Sequence, residues 1–593
     1  MRTVTLALLL LAPAAAAAVD GEKAPDFTLN DVLGKSHALS ALKDRKAVVL
    51  LFMGIECPRS VAAEPRLGDM MKKYGEKGVE FLAVDSNWNE GAKEIAEHCR
   101  QREFGMTYLK DEGGKVAALY KVEVQPTAIL LDGARSVRYR GLIDDHKVEE
   151  LAKHKYLRDA IEAVLAGKEP EVKSTEPLGC SIRIGGGQAK STDVTFTKHV
   201  APILNKACVI CHRPGQAGPF SLETYEQAKA WSTEIKSYTG THAMPPWKPT
   251  TNRGSYYNER TLTDGEVALL AKWHDNGAPM GDAKDLPPPP KFAEGWMLGK
   301  PDAVLKAEAG WELAAKGRDE YRCYTIKNPF DEDKWIAGIE FKPGNPRSVH
   351  HIIGYLDMSG QGAKKDEAEP GPGYRSNGSG PGIFPSGSLS GWAPGNMPRM
   401  LPEGTARLLR KGEWIILETH YHRTGRVEKD EGAEVAFHVA KTPVKKQYHV
   451  HMIAQPLLNI PAGQKEYKIG LTYLVPKDVH VLDVMPHMHL IGREISVVAT
   501  FADGTKTDLV AIKDWDFNWQ ETYQFKEPMK FPRGTKIRLD SKYDNSTDNA
   551  SNPSNPPRAV RWGEQTTDEM CIAFLGFTND NEDLTKKAGS EEK

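Results

Sequence analysis

Apolar and polar positions change rhythm three times along the chain. Between residues 20 and 166, short apolar runs (Ala47 to Met53, Val79 to Asp85, Thr127 to Asp132) alternate with stretches of helical spacing, an α/β pattern. Residues 193–281 have helical character. From 293 onward, many short β-branched and aromatic segments separated by Gly, Pro and Asn turns predict sandwiches. Composition marks the boundaries. Gly167 to Thr192 is poor in large apolar residues and contains Gly185-Gly186-Gly187, and Pro287 to Pro290 fits neither a helix nor a central strand. Ser359 to Ser388, rich in Gly, Pro and Ser, predicts a long surface loop within a domain. No internal repeat is present. The expected division is a signal segment at 1–18, an α/β domain at 19–167, a linker at 168–192 and a small all-α domain at 193–281. A Pro-rich linker at 282–292, all-β sandwiches at 293–445 and 446–582, and a charged tail at 583–593 complete it.

The length of 593 residues suits such a multidomain chain, and 40% hydrophobic with 27% charged residues is ordinary soluble globular composition. A net charge of −2 gives no reason to expect nucleic acid as a partner. Arg2 followed by the apolar run Val4 to Ala18, with small residues at Ala16 and Ala18, reads as a cleaved signal peptide. That run is too short to span a bilayer and no later stretch qualifies, so a periplasmic or secreted protein starting near Val19 is expected. No cysteine at the end of the run suggests a lipid anchor. The seven cysteines (Cys57, Cys99, Cys180, Cys208, Cys211, Cys323, Cys571) are too sparse, and odd in number, for a disulfide scaffold.

Three apolar, β-type segments in the last third carry histidines in tight groups: His350-His351, His420-Tyr421-His422 and His487-Met488-His489. Strand alternation would put His487 and His489 on one face, able to share a metal. Neutral imidazole suits copper, and the thioether in Asp568-Glu569-Met570-Cys571 adds preference for Cu(I). A lone pair of this kind is more often a core or surface pair. Taken in order, and with Gly391-Trp392-Ala393-Pro394-Gly395, these segments make residues 300–580 resemble the copper type II, ascorbate-dependent monooxygenases, the family of the peptidylglycine α-hydroxylating and dopamine β-monooxygenases. The resemblance implies two stacked β-sandwiches with one copper each. It implies His350, His351 and His420 as ligands of an electron-relay copper, and His487, His489 and Met570 as ligands of an oxygen-binding copper. His422, His449 and His451 match no family ligand. The peptide-amidating enzyme holds its substrate carboxylate with arginine, asparagine and tyrosine where this chain has Met485, Ile572 and Phe574, which argues against peptide amidation. Ser541 stands where the animal enzymes place the disulfide partner of the cysteine matching Cys571.

Cys208-Val209-Ile210-Cys211-His212 is the attachment signature of a c-type haem, in which two thioethers fix the porphyrin and His212 ligates iron. An amphipathic helix from Val200 to Ala207 leads in, Met244-Pro245-Pro246-Trp247 follows, and Leu262 to Glu266 opens a helix ending at Trp273. The stretch resembles small class I-like cytochromes c, which implies Met244 as sixth ligand, with His242 as a competitor.

Gly21 to Gly141 resembles the thioredoxin-like redoxins, through Ala24-Pro25-Asp26-Phe27, a strand ending at Cys57, and Val124-Gln125-Pro126-Thr127 as a cis-proline segment. Cys57 would open a helix, whose dipole favours thiolate. However, Cys57-Pro58-Arg59-Ser60 has serine in place of a second cysteine, and Gly54 replaces the peroxiredoxin threonine. Cys99 or Cys180 could resolve Cys57, or the module could be a docking platform. The combined expectation is a copper-dependent monooxygenase using dioxygen on a small organic substrate, with two coppers and one haem c, supplied by an electron donor. The other readings are a non-enzymatic copper-binding or electron-transfer protein, and a thiol-disulfide protein centred on Cys57.

Overall fold

The computed structural model describes residues 21–586, apart from 147–148, 150–151, 185–192, 215, 217, 253, 293–294, 308–310, 316, 318, 377–379, 394–395, 518 and 564. The expected signal segment, the triple glycine at 185–187, Pro394, Gly395 and most of the charged tail lie outside the described residues. The chain forms two compact units, one of residues 1–189 with 229–234 and one of residues 190–228 with 235–593.

The first unit is built on a seven-stranded sheet in the order Ser36–Ala38, Thr28–Asp31, Thr107–Lys110, Val79–Asp85, Ala47–Phe52, Thr127–Asp132, Val137–Gly141. Ala47–Phe52 runs parallel to Val79–Asp85 and antiparallel to Thr127–Asp132. Every residue of this central strand is buried, because both faces of the sheet are covered. Val49 and Leu51 pack on one side with Leu67, Tyr74 and Ile161, whereas Val48, Leu50 and Phe52 pack on the other with Phe27, Leu39 and Tyr120. This is the thioredoxin-like α/β fold. Helix Pro58–Gly75 starts directly after Cys57, its N-cap, with Pro58 in the first turn where no N–H is needed. The Gln125–Pro126 peptide is cis.

The stretch 168–192, expected to be a linker, is in its described part a piece of this unit. Lys173 and Thr175 hydrogen-bond through the backbone with Arg140, and Cys180–Ser181 forms a strand antiparallel to Val124–Gln125. Its scarcity of large apolar side chains misled the expectation, since backbone pairing and charged contacts hold it rather than apolar burial.

In the second unit, helix Ala201–Ala207 precedes the Cys208–His212 motif, and helix Asp264–Asp275 opens with a reciprocal Thr263/Glu266 capping box. Trp273 at its end is fully buried, 6.1 Å from the Phe196 ring. Two β-sandwiches follow. The first pairs a five-stranded sheet containing Lys334–Lys342 and Glu434–Val439 with another containing Glu320–Lys327, Trp414–Tyr421 and Val349–Asp357, around a core that includes Ile336, Ile352, Ile415 and Phe437. The second packs the sheet of His449–Ala454, Ile572–Asn579, Val479–His487 and Tyr523–Phe531 over the sheet of Tyr467–Leu474, Lys536–Tyr543, Gly492–Thr500 and Lys506–Ile512. Val481, Val497, Leu539 and Leu575 are in its core.

The expected long loop Ser359–Ser388 is partly ordered into helix Gln361–Ala368 and strand Tyr374–Ser376. Tyr374 is buried and donates to the Pro381 carbonyl, and Arg322 donates to the carbonyls of Pro372 and Gly373. These are long-range contacts that local composition does not encode.

Candidate functional site

Consecutive strand residues point to opposite faces, so His350 and His351 could not share a metal on a regular strand. A register irregularity between Val349 and His351, against the strand carrying His420, removes that obstacle. His351 then pairs with His420, and the Nδ1 atoms of His350 and His351 lie 3.2 Å apart. The rings of His350 and His351 are 5.0 and 4.7 Å from that of His420, and one nitrogen from each of the three falls within 4.8 Å of the others. Burial, then repulsion from neighbouring imidazoles, holds His350 and His351 well below 6.5, which keeps both neutral at pH 7. His420 is oriented by Asp319 at 3.0 Å from Nε2 and by Tyr321 stacked at 4.2 Å. Its Nδ1 is buried without a hydrogen-bond partner, as a nitrogen reserved for a metal would be. His422, which matched no ligand, has its ring 6.2 Å from that of His350.

The second cluster departs from simple strand alternation. His487 ends its strand and His489 lies past it, yet their rings are 5.1 Å apart. His487 Nδ1 meets Gln520 Oε1 at 2.5 Å, and His489 Nδ1 meets the Asp568 carbonyl at 3.2 Å. Both acceptors draw the ring proton to Nδ1 and leave each Nε2 lone pair available. Burial brings His487 down to about 4 and His489, with a further contribution from His487, to about 3. Met570 is buried two residues before Ile572, which pairs with His487. Glu569 ties the segments together, since its carboxylate accepts the backbone N–H groups of His489, Ile491, Gly492 and Met570. Burial pushes this carboxyl up to about 8 despite those bonds.

Sequence reasoning missed Asp319, Gln520 and Phe517, and gave Glu569 no role. No motif marks the first three; Glu569 sat in a quoted motif, and its burial was the missing signal. Met485 pairs directly with Phe574 and His487 with Ile572, so the three residues replacing the peptide clamp sit together on adjacent strands. Ser541 Oγ is 3.0 Å from Cys571 Sγ, as its expected alignment implied.

In the Cys208–His212 motif, helical turns link Cys208 and His212 through the His212 N–H to the Cys208 carbonyl. His212 Nδ1 lies 3.1 Å from the Phe220 carbonyl, which leaves Nε2 for a ligand. Gly218 permits this turn, because a Cβ there would lie 2.6 Å from the Cys211 carbonyl and 2.8 Å from His212 Nδ1. Burial pushes the thiols of Cys208, to about 12, and Cys211 up. A cavity of about 530 Å³ opens beside Cys211 and reaches Trp392, Met397 and Arg399. Met244 is partly buried and His242 exposed.

Cys57 Sγ lies 2.6 Å from Cys180 Sγ and 3.4 Å from the Gln125 carbonyl. Burial alone would raise the Cys57 pKa, but hydrogen bonds from Cys180, Ser60 and the Arg59 backbone bring it down to about 6. Cys99 packs against the core below the sheet, and burial raises it to about 11.

Two family models match the chain. One, described as AhpC/TSA family, covers residues 21–140, and one described as copper type II ascorbate-dependent monooxygenase, C-terminal domain, covers 449–589. The molecule is therefore an oxidoreductase-type fusion of a redoxin with a copper-monooxygenase domain. Its N-terminal domain matches the AhpC/TSA family, and its last domain matches the C-terminal domain of the copper type II ascorbate-dependent monooxygenases. Among its relatives, thiol-disulfide oxidoreductase ResA of Bacillus cereus (strain ZK / E33L) is 34% identical over 112 residues, which are 19% of this chain and 63% of that protein. The chain thus spans less than two thirds of that relative's length. ResA of Geobacillus thermodenitrificans (strain NG80-2) is 33% identical over 144 residues, 22% of this chain and 80% of that protein. The solved structure of peroxidoxin BcpB from Mycobacterium tuberculosis is 25% identical, with 20% of this chain and 82% of that chain covered at a TM-score of 0.19. Among the described residues, no helix is long and apolar enough to cross a membrane.

Proposed function

We propose that the protein is an exported copper-dependent monooxygenase that hydroxylates a C–H bond of a small organic substrate with dioxygen, with electrons drawn through a c-type haem held by Cys208, Cys211 and His212. The observation that carries this reading is the pairing of two unlike imidazole clusters across one aromatic ring. Phe517 touches His350 of the first cluster and His489 of the second. A simple copper carrier has no use for two different sites joined in this way.

His350, His351 and His420 would hold the relay copper; His487, His489 and Met570 would hold the other. Copper at these positions supplies one-electron chemistry and, at the softer site, activation of dioxygen. The chain's own contribution is to present neutral imidazoles. Asp319 orients His420, Gln520 and Asp568 fix the tautomers of His487 and His489, and Glu569 binds the His489 loop to the Met570 backbone. Met485, Ile572 and Phe574 present no cation to a substrate carboxylate, so the reading favours a small apolar or aromatic substrate. The hydrogen bond from His212 Nδ1 to Phe220 supports an iron-ligand role for the other ring nitrogen, and Met244 is the sixth ligand in this reading. An external reductant would feed the haem.

The test is copper content per chain, followed by oxygen consumption with a reductant and a panel of small C–H substrates. Two coppers and substrate-dependent oxygen uptake with a hydroxylated product are expected. Two coppers with no oxygen chemistry on any substrate would favour a copper carrier.

A further inference from the structure

We propose that Cys57 and Cys180, both free thiols in this structure, are a redox-active pair: the disulfide that they form by exchange with a donor disulfide oxidises a dithiol presented by another molecule, and the incoming thiol enters at Cys180. The two residues are 123 positions apart in sequence, yet their sulfurs are 2.6 Å apart. Ser60, where a contiguous dithiol motif would have its second cysteine, is buried and leaves that role vacant.

The approach of Cys180 is built into the fold. Its two-residue strand pairs with Val124–Gln125, beside Pro126. Gly179 makes the fit possible, because a Cβ there would lie 1.9 Å from the Gln125 carbonyl. Beyond the strand, the Arg183 guanidinium binds Glu56, Asn89 and Glu90, its backbone N–H donates to Asn87, and its carbonyl accepts from Trp88. Arg183 also stacks over Trp231 at 3.9 Å, and Ser181 N–H donates to Glu234. Glu56 and Glu90 flank Cys57 on the chain or by hydrogen bond, since Glu90 accepts from the N–H groups of Ile55 and Glu56. One network therefore positions both cysteines.

The two sulfurs are chemically unequal. Cys57 is fully enclosed, whereas Cys180 keeps 9% of its surface. Cys57 is the better leaving group, held at about 6, and Cys180 is driven far above an ordinary thiol by Cys57 and by burial. In the exchange, a substrate thiolate attacks Cys180 Sγ, the Cys57–Cys180 bond breaks, and Cys57 leaves as thiolate. The substrate's second thiol, deprotonated, attacks the substrate sulfur of the mixed disulfide. Cys180 departs and takes up one proton while the other goes to solvent. Two electrons pass from the dithiol, which becomes a disulfide, to the cysteine pair, which becomes a thiol and a thiolate.

The experiment uses the full chain equilibrated in glutathione buffers of stepped potential, quenched with acid, alkylated and mapped by mass spectrometry, with Cys57, Cys99, Cys180, Cys323 and Cys571 scored separately. A linked Cys57–Cys180 peptide should appear in one two-electron transition, and dithiothreitol should return both thiols. In the reduced protein, the Cys57 alkylation rate should reach half its maximum near pH 6. Cys180→Ser should replace the linked peptide with glutathione on Cys57 and move that midpoint upward, towards about 8.5 for an unperturbed thiol. Gly179→Ala should suppress the link with both cysteines present; if it fails to fold, Cys180→Ser still decides. Linkage of Cys57 to Cys99, no Cys57–Cys180 link at any potential, or an unmoved Cys57 midpoint in Cys180→Ser would overturn the proposal.

Discussion

The Phe517 ring lies flat on the His350 imidazole, with ring centres 4.7 Å apart and planes within 13°. The same ring meets His489 edge-on at 5.7 Å and 83°. A side chain from the second sandwich thus touches a histidine of each cluster. Phe517→Ala should leave two coppers per chain but slow turnover by about tenfold, equivalent to ~1.4 kcal/mol on the barrier. Copper analysis in parallel with single-turnover kinetics checks this. Undiminished turnover would remove the ring from the electron path.

Met570 and His351 separate the two sites. Met570→Ala should remove most hydroxylation while copper remains at His350, His351 and His420, because one site alone loses its soft ligand. His351→Ala should do the reverse and leave a site that receives its second electron slowly. Copper per chain, turnover and thermal melting are measured on both. Full activity in both variants would contradict the two-site reading.

Glu569 accepts four buried backbone N–H groups. Leaving such donors unpaired costs about 1–3 kcal/mol each, so Glu569→Ala should destabilise the last sandwich by several kcal/mol. Glu569→Gln keeps one carbonyl oxygen and should fall between that variant and wild type. Denaturant melts give the ordering; equal stability of all three proteins would show that solvent replaces the carboxylate.

Haem attachment is read directly from absorbance. Expressed with haem-maturation machinery, the protein should show c-type bands when reduced, with one haem per chain. Cys208→Ala or Cys211→Ala should lose the covalent attachment. A colourless wild-type protein under those conditions would exclude the haem.

Substrate choice follows from Met485, Ile572 and Phe574, which give no charged anchor for a peptide carboxylate. Glycine-extended peptides should therefore lose to small apolar or aromatic C–H substrates in a competition assay. Efficient peptide amidation would contradict that reading.

The fold class of the first unit was legible from local signals. Ala47–Phe52, Val79–Asp85 and Thr127–Asp132 were expected within one residue of their observed bounds, because continuous apolar runs of that length suit strands covered on both faces. The copper and haem candidates were legible as short motifs in order along the chain. Thr263 and Glu266 announced a helix start through their own reciprocal capping.

What only the tertiary structure decided depends on contacts between distant positions. A register irregularity interrupts the pairing at His350 and His351, where regular strand alternation would turn neighbours to opposite faces. Asp319 meets His420 across 101 positions, Gln520 meets His487 across 33, and Phe517 meets His350 across 167, so no local pattern could single them out. Cys180 lay in a stretch whose composition suggested a linker, yet backbone pairing, Gly179 and the Arg183 network bring it to Cys57. Residue type and short-range periodicity determine which groups can do chemistry; long-range backbone pairing and packing determine which of them meet.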